Sequence, residues 1–99
     1  IIHERVGDID HAITAYERAM QLRGGDSYPY LRLGLVYRQL GQLPLAVEYL
    51  EIAFKLARSP TSLEPVILAL RLCYYDLGNF QKALDIARHM PTETVARVA

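Results

Sequence analysis

The chain has 99 residues, of which 52% are apolar, enough for one packed domain and too apolar for a disordered or collagen-like segment. Its eleven basic and eleven acidic residues cancel, so composition offers neither the basic face that DNA and RNA demand nor an attraction to anionic membranes. A single cysteine, Cys73, excludes an internal disulfide and permits a reducing compartment such as the cytoplasm.

The chain starts Ile1-Ile2-His3, with no initiator Met or cleavage site, so no signal peptide is expected. Residues 1–6 read as the tail of a helix. A helix over 9–22 follows, with Asp8 as its cap. Gly24-Gly25-Asp26 reads as a turn. The next helix, over 28–40, starts at Asp26 or Ser27. Its partner, over 44–57, takes Pro44 in its first turn, where the missing N–H costs nothing. Arg58-Ser59-Pro60 breaks the chain. A helix over 63–77 then opens on a Thr61–Glu64 capping box, with Pro65 in its first turn. Gly78 stops it, as Gly41 stops its counterpart. A helix over 80–90 ends at Met90-Pro91, and residues 92–99 restart another. The longest apolar run, Val66 to Leu70, is too short to cross a bilayer.

These helices repeat. Gly7, Gly41 and Gly78 each follow an apolar residue, at spacings of 34 and 37. Five residues after each glycine stands Ala12, Ala46 or Ala83, then Ile13, Val47 or Leu84. Tyr16, Leu50 and Ala87 share a further column, as do Ala19, Ala53 and Met90. Ahead of the glycines, Tyr30, Leu33, Gly34, Tyr37 and Leu40 recur 37 residues on as Ile67, Leu70, Arg71, Tyr74 and Leu77. His3 and Val6 occupy the Tyr37 and Leu40 columns. Steps of three and four mark a helical stripe. The three extra residues fall near Pro60-Thr61-Ser62, where a loop tolerates insertion.

Small residues at Gly34, Ala46 and Ala53 suit a close approach of two helices, while Tyr37 and Leu40 are large where the gap must be filled. Arg71 replaces the small residue, so its helix pair must spread or Arg71 must bend outward along its stem. One hairpin cannot bury its own apolar face, but stacked hairpins can.

The pattern Leu33-Gly34, Tyr37, Gly41, Ala46, Leu50, Ala53 in the 34-residue unit Ser27–Pro60 resembles the tetratricopeptide repeat. Tyr30 stands where that family often has Trp. The resemblance covers nearly the whole chain. It implies an all-α fold, with antiparallel helix–turn–helix units stacked as a right-handed solenoid. One repeat domain over 1–99 is expected: a partial repeat at 1–26, a repeat at 27–60, a longer one at 61–91 and the start of a helix at 92–99. Because both ends cut through helices, a fragment of a larger protein is expected.

The resemblance also implies that the first helix of each hairpin lines a concave surface. Tyr28, Leu31, Arg32, Leu35, Arg38 and Gln39 would face inward from one unit, and Leu68, Leu72, Tyr75 and Asp76 from the next. Leu31/Leu35/Arg38 and Leu68/Leu72/Tyr75 share the i, i+4, i+7 spacing of one helix face. Such a face suits a protein partner, either an extended peptide or an amphipathic helix. The same leucines are equally suited to packing against neighbouring repeats. Some members of the family clamp a C-terminal carboxylate with concave Lys and Asn residues. Here the two lysines, Lys55 and Lys82, fall on second helices and Asn79 in a turn, which argues against that function.

No catalytic constellation, cofactor motif or metal-ligand spacing is present. His3, His11 and His89 lack an i, i+4 partner. Cys73 beside Tyr74 reads as a small buried hydrophobe. Glu48 and Glu51 fit a solvated face, and Gly24-Gly25 lacks the residues of a phosphate loop. The expected role is therefore non-enzymatic. The related pentatricopeptide hairpins bind RNA through polar columns and a basic surface, which neutral charge and apolar columns here oppose. A third reading is an architectural or oligomerisation segment, self-associating through exposed end helices.

Overall fold

The fold was obtained as a computed structural model, which describes residues 6–90. The expected helix tail at 1–6, apart from Val6, the packing role of His3 and the helix at 92–99 lie outside the described residues. The fold is all-α. Helix α1 is Val6–Leu22, α2 Ser27–Gln39, α3 Leu43–Leu56, α4 Pro60–Asp76 and α5 Phe80–Ala87. α1 packs on α2, α2 on α3, α3 on α4 and α4 on α5, and α2 also touches α4.

Helix boundaries follow local chemistry. Asp26, with extended φ/ψ, caps α2 by accepting a 3.0 Å hydrogen bond from the Tyr28 N–H. Pro44 sits in the first turn of α3. α2 and α4 end in the same way. Gly41 and Gly78 take φ of +81° and +78°. The Gly41 N–H donates to the Arg38 carbonyl and the Gln42 N–H to the Tyr37 carbonyl, at 3.0 and 2.9 Å. The Gly78 and Asn79 N–H groups do the same to Tyr75 and Tyr74, at 2.9 and 2.8 Å. Both turns are Schellman motifs, in which a glycine in the left-handed region satisfies the orphan carbonyls.

Five expectations are corrected. α1 runs unbroken from Val6, so Asp8 is not its cap but an acidic residue of its first turn. α4 starts at Pro60, and its cap is Ser59. Ser59 Oγ accepts from the Ser62 N–H and Ser62 Oγ from the Ser59 N–H, both at 3.2 Å, so the capping box is Ser59–Ser62 and not Thr61–Glu64. Pro65 therefore lies inside the helix rather than in its first turn. The inserted residues do not swell the loop: α4 has 17 residues where α2 has 13, so the insertion adds a helical turn. α5 ends at Ala87, and three i→i−3 hydrogen bonds carry the chain on to Met90, next to Pro91.

The core lies where α2, α3 and α4 meet. Leu33, Leu50, Ile67, Leu70, Val66 and Cys73 are fully buried, each large aliphatic contributing about 1.5–3 kcal/mol relative to exposure. At Gly34, α2 and α3 are too close to leave room for a side chain. A Cβ placed there would meet Leu50 Cδ2 at 2.7 Å. Ala46 and Ala53, on the same stripe of α3, have no exposed surface. Their α1 counterparts Ala12 and Ala19 are only half-buried, because among the described elements α1 packs on α2 alone. Arg71, in the Gly34 column, is half-buried, and Ala87 replaces Leu50 in the column that meets Gly34 in the middle unit. Leu40 and Leu77 do not fill a gap between helices. They are 41% and 45% exposed at the C-caps, past the last packed turn.

Candidate functional site

α2 and α4 are the first helices of successive hairpins and lie side by side. Their contact divides the expected inward residues into two groups. On α2, Leu31 is buried in the core and Leu35 is half-buried against it, so this pair packs between units. On α4, Leu68, Leu72 and Tyr75 remain 37%, 43% and 46% exposed. The i, i+4, i+7 spacing makes these three one strip. The Tyr75 ring lies 5.6 Å from Phe80, which extends the strip to the start of α5.

The polar members sit at its edges. Arg38 Nε donates to Asp76 Oδ2 at 2.9 Å, joining α2 to α4. Arg32 Nε donates to the Tyr16 hydroxyl at 3.4 Å, reaching back to α1. Tyr28, 55% exposed, meets Tyr16 edge to face at 6.5 Å. Gln39 is exposed near the end of α2. Arg38 and Asp76 are thus brought together, while Tyr28 stands at the opposite end of α2.

Away from the strip, the tyrosines of the packing columns are structural. Tyr74 is 7% exposed and donates its hydroxyl to Glu51 Oε2 at 2.9 Å. Burial first, then that hydrogen bond to a carboxylate, pushes its ionisation well above the usual range. Glu51 is therefore more than part of a solvated face. The Tyr37 and Tyr49 rings stack at 5.5 Å, with Tyr30 6.4 Å from Tyr49. Desolvation raises the Tyr49 pKa. Tyr49 escaped sequence reasoning because it falls in no repeat column. Cys73 is fully buried, and burial raises its thiol pKa, the reverse of what a nucleophile needs. Among the described residues, no group of three or more His, Cys, Asp or Glu is placed to hold a metal ion. No described helix is long and apolar enough to cross a membrane. Lys55 lies on α3 and Lys82 on α5, and Asn79 caps α5, away from the α2–α4 face.

A second feature was not anticipated. The added turn of α4 stands beside the start of α2. Between them lies a cleft of about 390 Å³, walled by Ser27, Tyr28 and Leu31 on one side and Thr61, Ser62 and Pro65 on the other. The only trace in the sequence is the three-residue difference in spacing.

Residues 28–60 match the tetratricopeptide repeat family. The chain carries a tetratricopeptide repeat. Its Schellman turn at Gly41 and its Gly34–Leu50 contact are the features that close this hairpin. Over 50 residues the chain is 46% identical to an anaphase-promoting complex subunit, cut9, of Schizosaccharomyces pombe. The match covers 50% of this chain and 8% of that subunit. Tetratricopeptide repeats are scaffold elements for protein–protein interaction.

Proposed function

We propose that this chain forms one repeat domain of a protein-interaction scaffold, holding an extended peptide or an amphipathic helix on the face shared by α2 and α4. The unit at 27–60 is its complete repeat, flanked by the partial repeat at 1–26 and the longer one at 61–91. The observation that carries the reading is the strip Leu68, Leu72 and Tyr75, with more than a third of each residue's surface open, on the helix that carries Asp76 of the Arg38–Asp76 pair. Apolar side chains aligned on one helix face and rimmed by charge mark a protein-binding surface. Likeness to a subunit of a multi-protein complex supports the same reading.

The test is a pull-down with the intact protein, comparing wild type with Leu72→Asp/Tyr75→Ala. Both positions are exposed, so helicity should be unchanged while the partner is lost. Retention of every partner by the folded variant would refute the reading. Leu31→Asp/Leu35→Asp is the control for packing: it should unfold the chain.

A second reading rests on α5. Phe80 and Leu84 are 59% and 55% exposed, whereas their column equivalents Leu43 and Val47 are half-buried. In the middle unit Val47 packs against the core to which α4 contributes. No described element covers that column on α5, so this face supports self-association. Sedimentation analysis of Phe80→Ser/Leu84→Ser against wild type tests it, and a monomeric wild type at high concentration would remove it.

A further inference from the structure

The cleft between the starts of α2 and α4 holds an unused polar group. Ser27 is only 8% exposed, yet its hydroxyl has no hydrogen-bond partner among the described residues. No fully enclosed side-chain nitrogen or oxygen among the described residues lacks a partner, so the Ser27 hydroxyl is not sealed in the core, and Ser27 lines the cleft. Its neighbours are spoken for. The Thr61 and Ser62 hydroxyls lie 3.1 and 3.0 Å from Ser59 Oγ, and the Tyr28 N–H donates to Asp26. On the α4 wall, Pro65 has no N–H, so the Thr61 carbonyl loses its usual donor four residues on. The residues lining the cleft therefore include a hydroxyl that both donates and accepts, and one, Thr61, whose carbonyl has spare capacity to accept.

Charge narrows the occupant. Two helix N-termini give the cleft a partial positive potential. Asp26, also lining it, answers with a carboxylate that sits 3.9 Å from Arg23. An anion meets Asp26, and a cation meets the helix ends. What complements the site is an uncharged group with one donor and one acceptor, carried on an apolar body that fits Tyr28, Leu31 and Pro65. A peptide unit bearing an aliphatic side chain has this character. We propose that the cleft anchors one apolar residue of an extended partner segment, its main-chain carbonyl accepting from Ser27 and its N–H donating to the Thr61 carbonyl. This rests on the reading that the α2–α4 face binds a peptide, and it names the anchor point at one end of that face.

The experiment titrates the ¹⁵N-labelled 99-residue chain with N-acetyl-leucine methylamide, an uncharged single-residue probe, and with N-acetyl-leucine, its carboxylate form. Saturable shifts should be confined to Ser27, Tyr28, Leu31, Thr61 and Ser62. Ser27→Ala should weaken the methylamide roughly fivefold with helicity retained, the loss expected for one hydrogen bond. Pro65→Ala supplies the Thr61 carbonyl with a donor and strengthens α4 rather than weakening it. It should also reduce affinity. Absence of saturation, equal affinity in either folded variant, or tighter binding of the carboxylate form would each overturn the proposal. Because the probe is too small to reach Leu72 and Tyr75, its failure alongside a partner that still depends on those residues removes the cleft and leaves the scaffold reading standing.

Discussion

Leu50 occupies the space that any side chain at Gly34 would need. A Cβ on Gly34 would stand 2.5 Å from Leu50 Cγ and 3.3 Å from the Ala46 carbonyl oxygen. Leu50 is fully buried and cannot swing away, and Ala46 contributes backbone. The closeness of α2 to α3 is set at this point.

Gly34→Ala is expected to destabilise the chain. Overpacking costs about 1–3 kcal/mol, against roughly 1 kcal/mol gained in helix propensity, for a net loss of up to about 2 kcal/mol. Leu50→Ala alone should cost about 2–5 kcal/mol by leaving a cavity. Urea denaturation of the double variant should show a loss smaller than the sum of the two, since each change relieves the defect of the other. Strict additivity would show that the two residues do not compete for one space.

Gly41→Ala and Gly78→Ala test the turns in isolation. A Cβ at either position has no neighbour within 4 Å, so the whole penalty is backbone strain at positive φ. Each should cost about 1–2 kcal/mol. Asn at either position should cost less, because it tolerates the left-handed region. Thermal melts of the four variants give the ranking.

Ser59→Ala should shorten α4 from its start. Losing the capping box costs about 1 kcal/mol. Hydrogen exchange should quicken at Ser62 and Leu63, whose N–H groups both turn back to Ser59. Unchanged protection there would show that the added turn is held by something other than its cap.

Stability should fall on the alkaline side. Cys73 and Tyr74 both have pKa values raised by burial, so the unfolded chain gives up these protons at lower pH than the folded one. Above the unfolded pKa the unfolded state binds fewer protons, and stability declines as pH rises. The loss should begin near pH 8.5 with Cys73 and deepen above about pH 10 with Tyr74. Urea midpoints at pH 7, 9 and 10.5 check this. Cys73→Ala should flatten the first part of the decline, and Tyr74→Phe the second.

The Arg38–Asp76 pair should matter little to stability. Its side chains are 34% and 41% exposed, so Asp76→Asn is expected to change the unfolding free energy by less than about 1 kcal/mol. Any larger effect on partner binding than on stability would place the pair in recognition.

The features legible in the sequence were those with a strong local cause. Glycine after an apolar helix end marked both turns. Asp26 marked the start of α2, and the Ala46 and Ala53 columns marked the close-packed face of α3. What stayed hidden depended on competition or on a neighbour. Ser59 and Thr61 both offered a capping hydroxyl, and the helix starts one residue after Ser59, which makes Ser59 the cap. Leu31 and Leu68 sit at comparable register on equivalent helices, yet one is buried and the other open. The difference is that α4 packs on α2 on that side, while no described helix covers α4 on its equivalent side. The Ser27 cleft belongs to no single helix, so periodicity along the chain carried no sign of it.

The paired Schellman turns have a bearing on how the chain folds. Each closes a helical hairpin with only three residues between the helices, Leu40 to Gln42 and Leu77 to Asn79. Loops this short make partners near neighbours in sequence, the condition for rapid folding. α2 and α3, the most extensively packed pair, form the natural nucleus, and α1 and α4 join it from either side. α5 completes the second hairpin on α4, and α1, which among the described helices packs on α2 alone and least extensively, is the last to dock and the first to fray, so the order in which the chain assembles is written in the uneven depth of its packing.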